Sequence, residues 1–137
     1  MQLPYTPIKE KLWSTEKNEY CATGWVLEQL WQGAQIKLDD LWESDPSTAI
    51  KLITNADVPP GLKRKLNAVY KKNDRGKFEE AFMGLLPTLD MYKPFFVQHA
   101  GEATFNNVRG KIKAIIDEWQ VSQAPLVETK ELALATK

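Results

Sequence analysis

The sequence predicts an all-α protein, a single-domain bundle of about five or six helices. Three observations carry that reading. Apolar residues recur at spacings of three and four through most of the 137 residues, the spacing that lines one face of a helix. Alternating β-branched and polar residues bounded by hairpin turns are absent. Asp-Pro, Pro-Pro-Gly and Asn-Asp-Arg-Gly punctuate the chain at helix-length intervals. With 43% hydrophobic residues and 10% aromatics, the chain holds enough apolar surface for one core. The expected organisation is a bundle over residues 1–121 and a C-terminal tail over 122–137, flexible or ordered by a partner.

The elements follow in order. Pro4 and Pro7 mark the entry, and Leu27, Leu30, Trp31, Ala34, Leu38, Leu41 and Trp42 form one stripe. They predict a long helix or a broken pair over about residues 16 to 43, with Gly24 and Gly33 as points of kinking or close contact. Asp45-Pro46 is an N-cap followed by a first-turn proline, which starts a short helix running to about residue 54 and closed by Asn55. After Val58-Pro59-Pro60-Gly61, a third stretch carries Leu62, Leu66, Val69 and Tyr70 on one face, and Asn73-Asp74-Arg75-Gly76 reads as a turn. Phe78, Ala81, Phe82, Leu85 and Leu86 make a stripe that Pro87 is expected to end. A short piece from Thr88 through Pro94 leads into Phe95-Phe96-Val97. The clearest helix comes last, through Phe105, Val108, Ile112, Ile115, Ile116 and Trp119, with Glu102 placed to favour its N-terminus. Pro125 is expected to break any continuation, leaving a flexible tail or a short helix through Leu132, Ala133 and Leu134.

Several function classes find no support. No apolar run approaches the roughly 20 residues that cross a bilayer, and MQLPYTPIKEKLW has no signal-peptide stretch. A cytoplasmic protein without a membrane partner is expected. Cys21 is the sole cysteine and reads as a small buried apolar residue; with one histidine beside it in the whole chain, no metal and no cofactor is expected. His99 follows a bulky apolar run and precedes Ala100-Gly101, a place where an imidazole caps or packs at a helix end. The carboxylate pairs Asp39-Asp40, Glu79-Glu80 and Asp117-Glu118 point about 100° apart on a helix and do not converge on one atom. No nucleophile elbow, phosphate loop or dinucleotide fingerprint is present, and the chain is read as a non-enzyme with no catalytic residue.

What remains is charge. The formal total is zero, yet residues 1–60 carry 5 Lys/Arg against 9 Asp/Glu, residues 61–113 carry 11 against 5, and residues 114–137 carry 2 against 4. A basic middle between acidic ends attracts a polyanion whatever the total. With Leu62, Leu66, Val69 and Tyr70 inward, Lys63, Arg64, Asn67 and Lys71 face outward, and the expected turn adds Lys72, Arg75 and Lys77. Asn106, Arg109 and Lys113 form a second strip on the last helix, and the two strips are expected to wall one groove. No helix-turn-helix, zinc finger or RNA-recognition aromatic motif accompanies them, so contact with nucleic acid is expected at the backbone, without sequence preference. Trp31 and Trp42 fall on the apolar stripe and read as core; Trp13 and Trp25 lie off it and read as partner-interface candidates. The alternative class is a helical adaptor of proteins with no nucleic-acid role, anchored by those tryptophans.

The proline-rich start MQLPYTP, the basic segment GLKRKLNAVYKKNDRGK and the helical ending TFNNVRGKIKAIIDEW together resemble the small helical subunits of multi-subunit CRISPR effector complexes, those of type I-D among them. The resemblance spans about residues 16 to 120 and contains no diagnostic motif, so it transfers no residue roles. It implies a non-catalytic antiviral ribonucleoprotein subunit that touches guide RNA or the target or displaced DNA strand. It also implies packing against other effector subunits and copies of itself, with the acidic first third meeting the basic middle of the next copy head to tail. A net charge of zero is low for such a role.

Overall fold

The computed structural model describes residues 3–8, 13–14, 19–32, 45–74 and 77–135. Among them are six helices, α1 (Ala22–Leu30), α2 (Pro46–Thr54), α3 (Pro60–Asp74), α4 (Phe78–Met91), α5 (Lys93–Ala100) and α6 (Glu102–Ala135). The all-α reading stands. A small sheet of two-residue strands, β1 (Thr6–Pro7), β2 (Trp13–Ser14) and β3 (Glu19–Tyr20), precedes them in the order β1-β3-β2, with β1 parallel and β2 antiparallel to β3.

α4 is the centre of the bundle. It packs on α3, α6 and α1, while α5 lies on α6 and α2 on α3. Its Ala81, Phe82, Leu85 and Leu89 meet Leu62, Leu66 and Val69 of α3 and Phe105, Val108, Ile112, Ile115 and Ile116 of α6 in one buried cluster. Most of these belong to the stripes that the spacing predicts; Leu89 lies beyond the end expected at Pro87, and Tyr70, Phe78, Leu86 and Trp119 of the predicted stripes are half-buried. The Asp45 cap also stands: its carboxylate accepts from the Thr48 N–H at 3.0 Å and from the Ser47 and Thr48 hydroxyls. At the other end of α2, Asn55 adopts the left-handed conformation (φ 59°) that closes a helix.

Other elements depart from expectation. The helix expected from residue 16 starts only at Ala22, because Glu19 and Tyr20 pair as a strand and Cys21 caps the helix, its Sγ accepting from the Gly24 N–H. It ends at Leu30; the rest of that expected stretch, with Gly33, Leu38, Leu41 and Trp42, lies outside the described residues. Pro87 does not end α4. Losing one backbone hydrogen bond and crowding one turn costs about 3 kcal/mol, but Phe82 and Leu85 before it and Leu89 after it are all buried, so packing on both sides holds the helix through the proline. The freed turn gains a hydrogen bond from the Thr88 hydroxyl to the Gly84 carbonyl at 2.7 Å. Pro125 is likewise inside α6, whose backbone stays helical to Ala135.

Asn73 is the largest correction to the local reading. It belongs to the last turns of α3, not to a loop, and is wholly buried. Its side-chain carbonyl accepts from the Ala22 N–H at 3.0 Å, and its amide donates to the Ile8 carbonyl at 2.9 Å. One side chain thus ties the end of α3 to the start of α1 and to the chain leaving β1. At the opposite end of α1, the Trp31 indole N–H donates to the His99 carbonyl at 2.9 Å. His99 packs its ring on Phe95 (centroids 4.8 Å), in the helix-end position expected of it.

Candidate nucleic-acid interface

The inward face of α3 determines what its outward face presents. With Leu62, Leu66, Val69 and Asn73 buried, Lys63, Arg64, Lys65, Lys71 and Lys72 are all exposed, and Asn67 is half-buried on one flank. At about 100° per residue, Arg64 and Lys71 lie at the middle of the exposed arc, Lys65 and Lys72 on one edge and Lys63 on the other. Lys77 is exposed where α4 begins, its N–H donating to the Lys72 carbonyl at 3.0 Å. Arg75 lies outside the described residues. Among the described residues, none of these six basic side chains makes an ion pair.

Lys63 differs from the others in its surroundings. It lines a small cleft of about 340 Å³ with Ser47, Thr48, Lys51, Asp57 and Val58, where Lys51 and Asp57 form an ion pair at 2.9 Å. Burial pushes the Asp45 carboxyl up, but hydrogen bonds from Ser47 and Thr48, with Lys63 nearby, outweigh it and hold the group below the usual carboxylate range. The field of Lys63 is therefore partly spent on Asp45. Among the described residues, the part of the patch without an acidic partner is Arg64, Lys65, Lys71, Lys72 and Lys77.

The second strip behaves differently. Arg109 makes a two-pronged pair with Asp90, Nε to Oδ1 at 2.7 Å and Nη2 to Oδ2 at 3.0 Å, which ties α6 to the end of α4. Lys113 pairs with Asp117 one turn along α6 at 3.0 Å, and Asn106 is exposed. α3 and α6 pack on α4 and not principally on each other. The two strips thus stand on helices that meet through α4, and the cations of the second strip are engaged in ion pairs that those of the first lack among the described residues. Arg109 is a fastening between helices, and the Asp90 carboxyl that takes its hydrogen bonds is held below its ordinary range.

Trp25 does not project from the surface as an exposed anchor. Only 7% exposed, it stacks on Tyr5 (centroids 5.6 Å) and meets Phe82 edge-on (6.0 Å). The stripe of α1 misplaces it because this helix is covered on two sides, by the bundle and by the N-terminal segment carrying Tyr5, so a residue off the main stripe is buried as well. Trp13 contributes its backbone to β2, and its side chain lies outside the described residues. Lys65 is the member of the patch missing from the sequence-based candidates; the same 100° rule places it in the open, on the edge opposite Lys63.

Among the described residues no group of three His, Cys, Asp or Glu side chains is placed to hold a metal ion, and no helix is long and apolar enough to cross a membrane. No protein-family model matches the chain, and neither a curated protein nor a solved structure is significantly similar to it.

Proposed function

We propose that this protein is a non-catalytic nucleic-acid-binding subunit that holds a phosphate backbone on the outer face of α3. The observation that carries the reading is the concentration of Arg64, Lys65, Lys71, Lys72 and Lys77 without an ion-pair partner among the described residues. Surface lysines that serve solubility are ordinarily interspersed with acids; the residues from Gly61 to Lys77 include only Asp74 as an acid. Along α3, Arg64 and Lys71 are seven residues apart, about 10 Å at 1.5 Å per residue, far enough apart for each to meet a separate phosphate of one strand. Such contacts fix a strand in place without reading it. The resemblance to small subunits of CRISPR effector complexes fits this role, with guide RNA or a target or displaced DNA strand as the ligand and a cytoplasmic location. The protein-adaptor reading loses one of its two anchors through the burial of Trp25.

A salt titration of binding to a labelled single-stranded oligonucleotide tests the proposal. For Arg64→Glu/Lys71→Glu/Lys72→Glu, the log-log salt slope should fall by about 0.7 for each phosphate that is no longer neutralised. For Arg109→Glu/Lys113→Glu, whose native side chains are already paired, the slope should change little. Absence of binding by the wild-type protein at low salt refutes the proposal. Equal reductions in the two variants refute the assignment to α3.

A further inference from the structure

A second feature lies on another side of the molecule and does not depend on the nucleic-acid reading. Leu3 and Pro4, Trp25 and Gln29 of α1, and Lys111, Ala114, Ile115 and Glu118 of α6 enclose an open cleft of about 680 Å³. Trp25 and Ile115 form its apolar floor, and Lys111 and Glu118 stand exposed along one wall. The Lys111 ammonium donates to Gln29 Oε1 at 2.7 Å, and no ion pair to either Lys111 or Glu118 occurs among the described residues. One turn beyond Glu118 on the same side, Val121 is 65% exposed, the most exposed of the large apolar side chains described.

We propose that this wall of α6 pairs with the same wall of a second copy, the two helices antiparallel about a two-fold axis between Ala114 and Ile115. The charge pattern selects this occupant. Lys111 and Glu118 lie at equal distances on either side of that axis and about 100° × 7 apart in rotation, which returns them to nearly the same face, about 10 Å apart along the helix. An antiparallel copy therefore sets Lys111 against Glu118 of the second copy, and Glu118 against Lys111 of the second copy. A parallel copy sets like charge near like. At the axis, Ala114 is small and exposed, and Gly110 one turn earlier has open space where a side chain would be, so little holds the helices apart. A two-fold contact of this kind is self-complementary and closes at two copies. It differs from the head-to-tail packing expected from the sequence, which is open-ended.

Charge exchange tests the pairing with exposed positions only. Sedimentation equilibrium on the wild-type chain should reach a dimer limit and go no further. Lys111→Glu and Glu118→Lys, each alone, set like charges together twice and should weaken dimerisation roughly tenfold or more. A mixture of the two variants restores both opposite-charge pairs and should form the heterodimer at close to wild-type strength, detected by mass-tagging one variant. Ala114→Arg, which places two guanidinium groups at the axis, should be monomeric. Far-UV circular dichroism should be unchanged for every variant. A wild-type monomer at all concentrations, assembly beyond two copies, or failure of the mixture to recover dimer overturns the proposal. None of these outcomes alters the salt slope of oligonucleotide binding at α3.

Discussion

Replacing Asn73 with alanine should cost the fold more than any exposed charge does. The native side chain is wholly buried and satisfies two backbone groups distant in sequence, the Ala22 N–H at 3.0 Å and the Ile8 carbonyl at 2.9 Å. Alanine removes two hydrogen bonds worth about 1 kcal/mol each and leaves both backbone groups short of a partner, for a total near ~3 kcal/mol. With a urea dependence of ~1.5 kcal/mol per molar, the unfolding midpoint should fall by ~2 M. Tryptophan fluorescence reports it, since Trp25 is stacked on Tyr5 inside the folded protein. Asn73→Asp supplies the control. It keeps the acceptor for Ala22, loses the donor for Ile8 at neutral pH, and buries a carboxylate, so its carboxyl titrates higher folded than unfolded. Its deficit relative to wild type is therefore present above the folded pKa and should shrink as pH falls from about 7 to about 4, where the protonated acid donates again. A midpoint decrease under ~0.5 M for Asn73→Ala, or a deficit for Asn73→Asp that widens on acidification, would refute the clamp.

Gly61 has the Tyr92 hydroxyl where its Cβ would stand, so Gly61→Ala should lower thermal stability despite the ~1 kcal/mol that alanine adds to a helix; in a Tyr92→Phe background the same change should be neutral or stabilising. Asp90→Asn should lower the melting temperature at pH 7, with the gap narrowing as the solution is acidified below the ordinary carboxylate range. The Arg109 hydrogen bonds hold the Asp90 carboxyl below its ordinary range, so its contribution is complete above the unfolded value near ~3.9 and is lost as pH falls through the lower folded one. Raising salt from about 20 to about 300 mM should raise the melting temperature in the absence of ligand, by screening the repulsion among the α3 cations, and Arg64→Glu should reduce that gain.

Local signals hold wherever one face decides an element's fate. Asp45-Pro46 and Asn55 bound α2 as the capping rules require, and the stripes of α3, α4 and α6 are the buried faces of those helices. Where local signals fail, tertiary contact decides. Pro87 breaks an isolated helix, but packing of Phe82, Leu85 and Leu89 overrides it. Asn73 has the composition of a turn residue, and only the fold reveals that Ala22 and Ile8 lie beside it. The candidate site divides on the same ground. Exposure of Arg64 and Lys71 follows from the period of α3 alone, whereas the pairing of Arg109 with Asp90 joins two helices across 19 residues and leaves no local mark.

The position of the basic residues within α3 is itself informative about selection. A helix N-terminus carries a partial positive charge, so cations in the first turn cost ~0.3–1 kcal/mol each, while acids there gain as much. The first turn of α3 contains no acid; Lys63 closes it, and Arg64 opens the second. Lys71 and Lys72 at the other end are favourable to the dipole, so stability alone accounts for that pair. The helix keeps its form because the opposite face carries the burden: Leu62, Leu66 and Val69 are buried on α4, and Gly84 admits Val69 so closely that a Cβ would sit 3.0 Å from its methyl group. One face fixes the helix and the other is free to be electrostatically unfavourable. Lys63, which closes that first turn, lies beside the Asp45 carboxylate, whereas Arg64, at the centre of the exposed arc, has no ion-pair partner among the described residues; the fold does not call for its charge, and a bound anion, as proposed, would give that charge a use.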